Sequence, residues 1–304
     1  MKIFLTGHKG LVGSAILRKL KEKNFKNIIT IDRKKLDLLN QKSVYNFLKK
    51  KKPDLVINAA GRVGGILDNN TRGAEFIYQN SQMQNNIIHG SYLNKIKKLI
   101  FLGSSCIYPK YSKQPIKEDY LLTGKLEETN EPYAVAKISG IKMCESYNKQ
   151  YKTNYLCLMP TNLYGPNDNF SENDSHVIPG LIARMHKAKI EKDKSFNVWG
   201  TGKPLREFLH SEDLANAIWF VIKNEIEENL INIGSGIEIT IKDLVKKIQL
   251  TIGYNGDVKF DTTKPDGNPR KLLDSSKIFQ YGWKPEINLD EGLESTYKWY
   301  LKNY

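Results

Sequence analysis

The chain has 304 residues, of which 40% are hydrophobic and 26% charged, a balance that fits a globular fold and excludes disordered, collagen-like and coiled-coil chains. Lys and Arg number 47 against 33 Asp and Glu, for a net charge of +14. Most of that charge is lysine scattered along the chain, which reads as solvated surface and predicts neither a nucleic-acid nor a membrane partner. The length fits one large domain or two interlocked ones, with a core that needs no disulfide or metal. No apolar run approaches the roughly 18 residues that cross a bilayer, and Lys2–Thr6 is too short for a signal-peptide core. Cys106, Cys144 and Cys157 form neither a disulfide framework nor a metal-ligand spacing, so no metal is expected and a reducing cytoplasm is the natural compartment.

In chain order, strands are predicted at Lys2–Thr6, Asn27–Asp32, Asp54–Asn58, Lys98–Ser104, Tyr155–Pro160 and Leu230–Gly234. Helices are predicted between them at Leu11–Lys23, Gln41–Lys52, Thr71–Asn94 and Pro132–Tyr151. The run Lys49–Lys52 falls at a helix end, where cations suit the dipole. Past Pro160 the alternation loosens into a polar turn at Gly165–Asn169. Beyond it come a helix at His176–Lys189, a strand at Phe196–Trp199, helices at Ser211–Lys223, Thr240–Ile252 and Asp290–Leu301, and a loop over Asp261–Arg270. The fold class is α/β, a Rossmann-type doubly wound parallel sheet with a smaller C-terminal α/β substrate-binding domain. Residues 1–165 with about 206–234 would form the cofactor domain. Residues from about 166–205 and 235–304 would form the substrate domain.

Gly7-His8-Lys9-Gly10-Leu11-Val12-Gly13 follows the first strand and opens the first helix. Glycines at this turn let the backbone approach a pyrophosphate, and the helix start offers it free N–H groups. The second strand ends at Asp32, where an acid ordinarily bonds a ribose 2′-OH. Arg33, Lys34 and Lys35 follow at once and Lys9 lies in the glycine loop, so a 2′-phosphate, and hence NADP, is favoured over NAD. Asp37 and Leu38 could reach the adenine from the next turn.

Tyr133 and Lys137 stand four apart at a helix start, on one face. The ammonium is expected to lower the phenol pKa towards neutrality and make Tyr133 a general acid. Gly103-Ser104-Ser105-Cys106 closes the fourth strand at its C-terminal end, where an open parallel sheet binds its ligand. Ser104 there could hydrogen-bond a substrate carbonyl. Glycine loop, strand-end serine and Tyr-x-x-x-Lys, in this order, form one pattern.

With these features the chain resembles the extended short-chain dehydrogenase/reductases that act on nucleotide sugars. Within them it is similar to the GDP-L-fucose synthase family at Val63-Gly64-Gly65-Ile66, Gly103-Ser104-Ser105-Cys106-Ile107-Tyr108-Pro109 and Asn130-Glu131-Pro132-Tyr133-Ala134. The similarity continues at Met159-Pro160-Thr161-Asn162-Leu163-Tyr164-Gly165-Pro166, Ser175-His176-Val177-Ile178-Pro179, Leu205-Arg206-Glu207-Phe208 and Lys271-Leu272-Leu273-Asp274. The resemblance implies conversion of GDP-4-dehydro-6-deoxy-D-mannose to GDP-L-fucose, by epimerisation at C3 and C5 and reduction of the C4 ketone with NADPH. It implies a Ser104/Tyr133/Lys137 reductase triad, with Cys106 and His176 moving the epimerisation protons. It places Leu102, Gly103, Ser105, Pro160, Thr161, Asn162 and Leu163 against the cofactor, and Arg184, Trp199, Arg206, Asp266 and Lys271 around the GDP-sugar. On its own, Trp199 reads equally well as a core aromatic. Gly61-Arg62 stands where the family more often has a small residue and a lysine, which would keep a basic charge beside the cofactor loop. The resemblance also implies a homodimer through Thr71–Asn94 and Pro132–Tyr151.

The position after the serine pair, Cys106-Ile107, lacks the acid that a nucleotide-sugar dehydratase places there. A 4-epimerase that keeps its NAD needs no thiol. Two alternatives stay open: an epimerase or reductase of another GDP-4-keto sugar such as a heptose, and a non-catalytic nucleotide- or RNA-binding protein on the same fold.

Overall fold

The computed structural model describes residues 1–171, 174–264 and 266–304. The chain begins β1 (Ile3–Thr6), α1 (Leu11–Glu22), β2 (Ile28–Ile29), α2 (Gln41–Lys51), β3 (Leu55–Asn58), α3 (Ile66–Thr71), α4 (Gly73–Leu93) and β4 (Lys98–Leu102). It continues α5 (Glu131–Tyr151), β5 (Asn154–Pro160), β6 (Asn162–Tyr164), α6 (Val177–Glu191), β7 (Ser195–Trp199), β8 (Leu205–His210), α7 (Ser211–Lys223) and β9 (Leu230–Ile233). The last elements are β10 (Glu238–Thr240), α8 (Ile241–Ile252), β11 (Asp257–Asp261), β12 (Arg270–Lys271), α9 (Ser276–Gln280) and α10 (Leu289–Asn303).

The six strands read from sequence form one parallel sheet in the order β2-β1-β3-β4-β5-β9. β1, β3 and β9 are buried along their whole length, which is why they read as apolar runs without alternation. Successive residues divide between the two faces. Ile3, Leu5 and Ile57 pack with Leu20 of α1 and Leu214 and Ile218 of α7. Phe4 and Val56 pack on the other face with Val44 and Leu48 of α2 and with Ile87 and Ile141 of α4 and α5. β2 lies on one side of β1 and β3 on the other, so the order reverses between β1 and β3. A ligand crevice opens at their C-terminal ends.

A second sheet runs β10-β8-β12, with β6 also paired to β8, and β7 pairs with β11. A third core lies beside them, built from Leu181 and Met185 of α6, Phe196 and Val198 of β7, Leu244 and Ile248 of α8 and Leu293 and Tyr297 of α10. No helix among the described residues is long and apolar enough to cross a membrane.

Several boundaries differ from the sequence reading. β2 has two residues because the chain turns at Asp32, whose carbonyl accepts from Lys35 N (2.9 Å) and Leu36 N (3.0 Å). The helix expected over 71–94 is α4, and the short α3 before it is set off from it at Arg72, which leaves helical geometry with φ −123° and ψ 32°. The lysine run falls where expected: Lys49, Lys50 and Lys51 fill the last turn of α2, and Lys52 closes it in a left-handed conformation.

Candidate active site

The glycine loop forms the turn between β1 and α1. Gly7 has φ +67°, and a Cβ there would lie 2.6 Å from the Ala59 carbonyl oxygen at the end of β3. A Cβ on Gly13 would press into the Gly7 carbonyl. Either side chain would force β1, β3 and α1 apart. Gly10 differs: a Cβ on it would meet only the Gly7 carbonyl oxygen, at 3.6 Å, among the described residues. Gly10 caps α1 with no side-chain hydrogen bond, and the first turn carries no acidic residue. Free N–H groups, an open space above Gly10 and the helix dipole together make a seat for a diphosphate.

Beyond the loop, the Asp32 carboxylate meets Lys9 Nζ at 2.7 Å and His8 Nε2 at 3.4 Å. The Lys9 hydrogen bond holds Asp32 below the usual carboxylate range. Arg33, Lys34 and Lys35 are all exposed. The acid at the strand end is thus already answered by a lysine, and three cations stand around it. Asp37 is exposed and turns its Oδ1 to Leu39 N (3.1 Å), while Leu38 is half-buried in the core beneath. The Arg62 guanidinium pairs with Glu75 at 2.7 Å and lies over the Phe76 ring.

At the end of β4 the chain enters a single 3₁₀ turn, Ser105–Ile107, capped by Ser104, whose hydroxyl accepts from Cys106 N at 3.3 Å. Tyr133 lies in the first turn of α5 and hydrogen-bonds Ser104. One turn on, buried Lys137 donates to the Leu102 carbonyl at 2.8 Å, and its Nζ lies 5.8 Å from the Tyr133 ring centroid. The three side chains are together, but their electrostatics correct the expectation from sequence. Burial pushes the Tyr133 phenol up and the Cys106 thiol adds to the rise, while the Ser104 hydrogen bond opposes it. Burial also pulls Lys137 down to about 8. Desolvation is the largest cause of both shifts, a cost that a spacing in sequence cannot reveal. The phenol therefore keeps its proton at neutral pH.

Cys106 is half-exposed, and two donors converge on its sulfur: Asn130 Nδ2 at 3.5 Å and Lys271 Nζ at 3.6 Å. Lys271 also reaches His176 electrostatically. Desolvation first and the Lys271 charge second lower the His176 pKa, although the residue as a whole is exposed. His176 caps α6, and its approach is fixed by Gly65 N, which donates to the Asp174 carbonyl at 3.1 Å. A recess beside Cys106 is lined by Lys110, Gln114, Glu127, Asn130, Arg270 and Lys271.

Arg206 and Lys271 are register partners across the parallel β8–β12 pair. Arg206 is half-buried, and burial lowers its pKa. Asp266 accepts from Thr201 N (2.8 Å) and Thr201 Oγ1 (2.7 Å). Trp199 is 68% exposed at the end of β7, with Lys264 over its ring, so the core reading is excluded. Arg184 lies over Phe196 and bonds the Gly180 carbonyl (3.3 Å). At the β5–β6 junction, Pro160 is in register with Ile233. Thr161 Oγ1 (3.3 Å) and Asn162 Nδ2 (2.8 Å) both donate to the Glu207 carbonyl, with half-buried Leu163 beyond them. Buried Leu102, Gly103 and Ser105 line the way from β4 to the triad. Asn130 and Arg270 went unassigned in sequence. Asn130 stood inside a quoted motif, and Arg270 directly precedes Lys271.

A parallel sheet with a glycine seat at β1–α1, and a serine, tyrosine and lysine gathered past β4, defines a dinucleotide-binding fold of the short-chain dehydrogenase/reductase class. The chain belongs to the NAD dependent epimerase/dehydratase family, whose profile matches residues 3–234. It is 53% identical to GDP-L-fucose synthase 1 of Arabidopsis thaliana, over 99% of this chain and 94% of that one. Among solved structures it is similar to a GDP-6-OMe-4-keto-L-xylo-heptose reductase from C. jejuni, with 38% identity, TM-score 0.94 and coverage of 100% and 98%. It is also similar to a GDP-L-fucose synthetase from Naegleria fowleri bound to NADP, with 29% identity, TM-score 0.91 and coverage of 99% and 94%.

Proposed function

We propose that this chain is an NADP-dependent epimerase and reductase that converts GDP-4-dehydro-6-deoxy-D-mannose to GDP-L-fucose. The observation that carries this is the placement of Cys106. It stands two residues from Ser104, with Asn130 and Lys271 both offering hydrogen to its sulfur, and the same Lys271 charge acts on His176. A simple ketone reductase needs no thiol there. Identity above 50% to a GDP-L-fucose synthase supports the same reading.

Ser104 and Tyr133 hold the C4 carbonyl oxygen by hydrogen bonds. Those bonds strengthen as negative charge develops on the oxygen, so the protons on C3 and C5 become acidic. Cys106 and His176 act from opposite faces: one takes the proton from each carbon and the other returns one, with no net gain or loss. His176, held below its ordinary pKa, gives up a proton readily once it has gained one. Tyr133 then donates its proton to the C4 oxygen. The nicotinamide cofactor supplies the hydride at C4 when bound. The seat above Gly10 fits its diphosphate, with Lys9, Arg33 and Lys34 placed for a 2′-phosphate, and the β5–β6 junction at Thr161 and Asn162 would hold its reactive end. Arg184 and Arg206 would clamp the GDP diphosphate, with Lys271 beside the sugar at Cys106, Trp199 as a stacking face for the base and Asp266 ordering the loop at Thr201.

Residues 1–165 with about 206–234 would carry the cofactor. The third core supports a sugar-binding unit of about 166–205 and 235–304. The exposed Ile77 and Tyr78 of α4 and Val135 of α5 support a homodimer through these two helices. The reducing cytoplasm suits three free cysteines.

If Lys9, Arg33 and Lys34 read a 2′-phosphate, Arg33→Ala is expected to weaken NADPH binding about 10- to 100-fold, the value of a charge-assisted contact. NADH affinity should stay unchanged, and titration of both cofactors by protein fluorescence measures the ratio. An equal loss for both cofactors would remove Arg33 from that role.

The direct test follows 340 nm absorbance with NADPH and GDP-4-dehydro-6-deoxy-D-mannose and identifies the sugar formed. GDP-L-fucose is the expected product. NADPH consumption without inversion at C3 and C5 would overturn the roles of Cys106 and His176. A second substrate class, the GDP-4-keto-heptoses, is favoured by the polar recess beside Cys106 and by the likeness to the C. jejuni heptose reductase. It is assayed in the same way if the deoxyhexose is not turned over.

A further inference from the structure

Asn232 lies in β9, in register with Met159 of β5, and is completely buried. Every polar group of its side chain is used. Oδ1 accepts from Tyr108 OH at 2.6 Å, and Nδ2 donates to the Ile116 carbonyl at 2.9 Å and to the Asp274 carbonyl at 3.2 Å. Its backbone N–H donates to Glu118 Oε1 at 2.9 Å.

These partners belong to two segments only. Tyr108, Ile116 and Glu118 lie on the stretch that leads away from Cys106, and Asp274 lies three residues after Lys271. The segments also meet each other directly. Ile116 N donates to the Leu272 carbonyl and Asp274 N to the Ile116 carbonyl, both at 2.8 Å, while Leu272 N donates to Gln114 Oε1 at 2.8 Å. Along this seam Lys271 Nζ reaches the Cys106 sulfur. The two residues are 165 apart in sequence, and β9, held in the central sheet, is the fixed element that brings their segments together.

The side chain has to be a primary amide. Two carbonyl oxygens face it and need donors, and one phenol hydroxyl needs an acceptor. A carboxylate of the same shape would turn an oxygen on both carbonyls. A hydroxyl is too short to reach three partners. Lys137, by contrast, is held by the Leu102 carbonyl, away from the seam.

We propose that Asn232 is a positioning residue that sets the distance between Cys106 and Lys271. It thereby controls proton transfer at the carbons beside the ketone separately from hydride transfer. This rests on the epimerase and reductase reading above. Sulfur and ammonium must stay close for the thiol to carry its side of the proton exchange with His176, whereas the Ser104, Tyr133 and Lys137 group can reduce the ketone whether or not its neighbours have been inverted.

The test compares wild type with Asn232→Asp and Tyr108→Phe. For each, the ratio of GDP-L-fucose to the reduced but unepimerised GDP-6-deoxy sugar is measured, together with NADPH affinity. In Asn232→Asp the ratio is expected to fall at least tenfold with the NADPH Kd within twofold of wild type. Tyr108→Phe, which deletes one hydroxyl and keeps the ring, is expected to shift the ratio severalfold in the same direction, and it decides the matter alone if the aspartate variant does not fold. An unchanged ratio overturns the proposal, as does a fall matched by an equal loss of NADPH affinity, which marks general loosening. If wild type itself makes no epimerised product, the functional reading fails and not the positioning. The rate of Cys106 alkylation by iodoacetamide then decides: a severalfold drop in both variants upholds the seam, and wild-type rates overturn it.

Discussion

A Tyr133→Phe variant is expected to lose about 10²- to 10⁴-fold in kcat for NADPH oxidation, the usual range for removing a general acid. Solvent deuterium exchange into C3 and C5 of the ketone substrate should fall with it. Both follow from one hydroxyl. Tyr133 is the proton source for the C4 oxygen and, with Ser104, a donor to that oxygen while C3 or C5 is deprotonated. The fold should survive, because the edge contact of ring 133 with Phe76 (centroids 6.3 Å apart) does not involve the hydroxyl, and NADPH should still bind. The wild-type pH profile carries the second half of the argument. With the phenol pushed up by burial, kcat/KM for the free enzyme should show no loss from Tyr133 at neutral pH. Its alkaline limb should instead break near pH 8, where buried Lys137 gives up its charge. A profile flat from pH 7 to 10 would remove Lys137 from the alkaline limb, and exchange that continues at the wild-type rate in Tyr133→Phe would separate the epimerisation from this residue.

The parts of the site that lie close together in sequence were legible there. The glycine loop, the strand-end serine and the Tyr133–Lys137 spacing each sit within one turn of their element, and short-range geometry is what a sequence pattern encodes. All six central strands were legible too: β1, β3, β4, β5 and β9 are buried almost throughout and read as apolar runs, and half-buried β2 shows as paired isoleucines. The second sheet was not. β12 has two residues and β6 and β10 three each, too few to show any period. The Lys271 contact with Cys106 depends on that sheet, so only a resemblance could place Lys271 near the sugar, and nothing placed it at the sulfur. Trp199 shows a different limit. Its strand is buried at Phe196 and Val198 and exposed at Asn197 and Trp199, so alternation assigns it to the outer face, but four residues of strand were too few to separate that from a core position. The direction of the Tyr133 shift was misread because spacing reports a charge nearby and is silent on how much water both groups lose.

That lost water leads to the second large effect. Lys137→Met is expected to abolish turnover and at the same time raise the melting temperature of the ligand-free protein at pH 7. Burial lowers the lysine from its ordinary 10.5 to about 8. Charging it inside the fold therefore costs up to about 3 kcal/mol relative to the unfolded chain. The sign is fixed by proton counting. Below pH 8 the lysine is protonated in both states and the whole cost falls on the folded one. Between about 8 and 10.5 the unfolded chain holds the extra proton, so wild-type stability from this group rises with pH. Methionine fills a similar volume without the charge. It forfeits the hydrogen bond to the Leu102 carbonyl, worth about 1–2 kcal/mol. The net gain of about 1–2 kcal/mol corresponds to a rise of a few degrees in a chain of this size. The advantage over wild type should shrink as pH climbs from 8 to 10.5, since wild type then sheds its own cost, and scanning calorimetry of both proteins across that range measures it. A variant less stable than wild type at pH 7, with a gap that does not change with pH, would show that the ammonium is well solvated in the fold. In that case the alkaline limb of the pH profile would have to belong to another group. If the gain is found, the ammonium beside Tyr133 is held at the expense of stability, and its presence in the core is explained by what it does to the substrate oxygen and the phenol, not by packing.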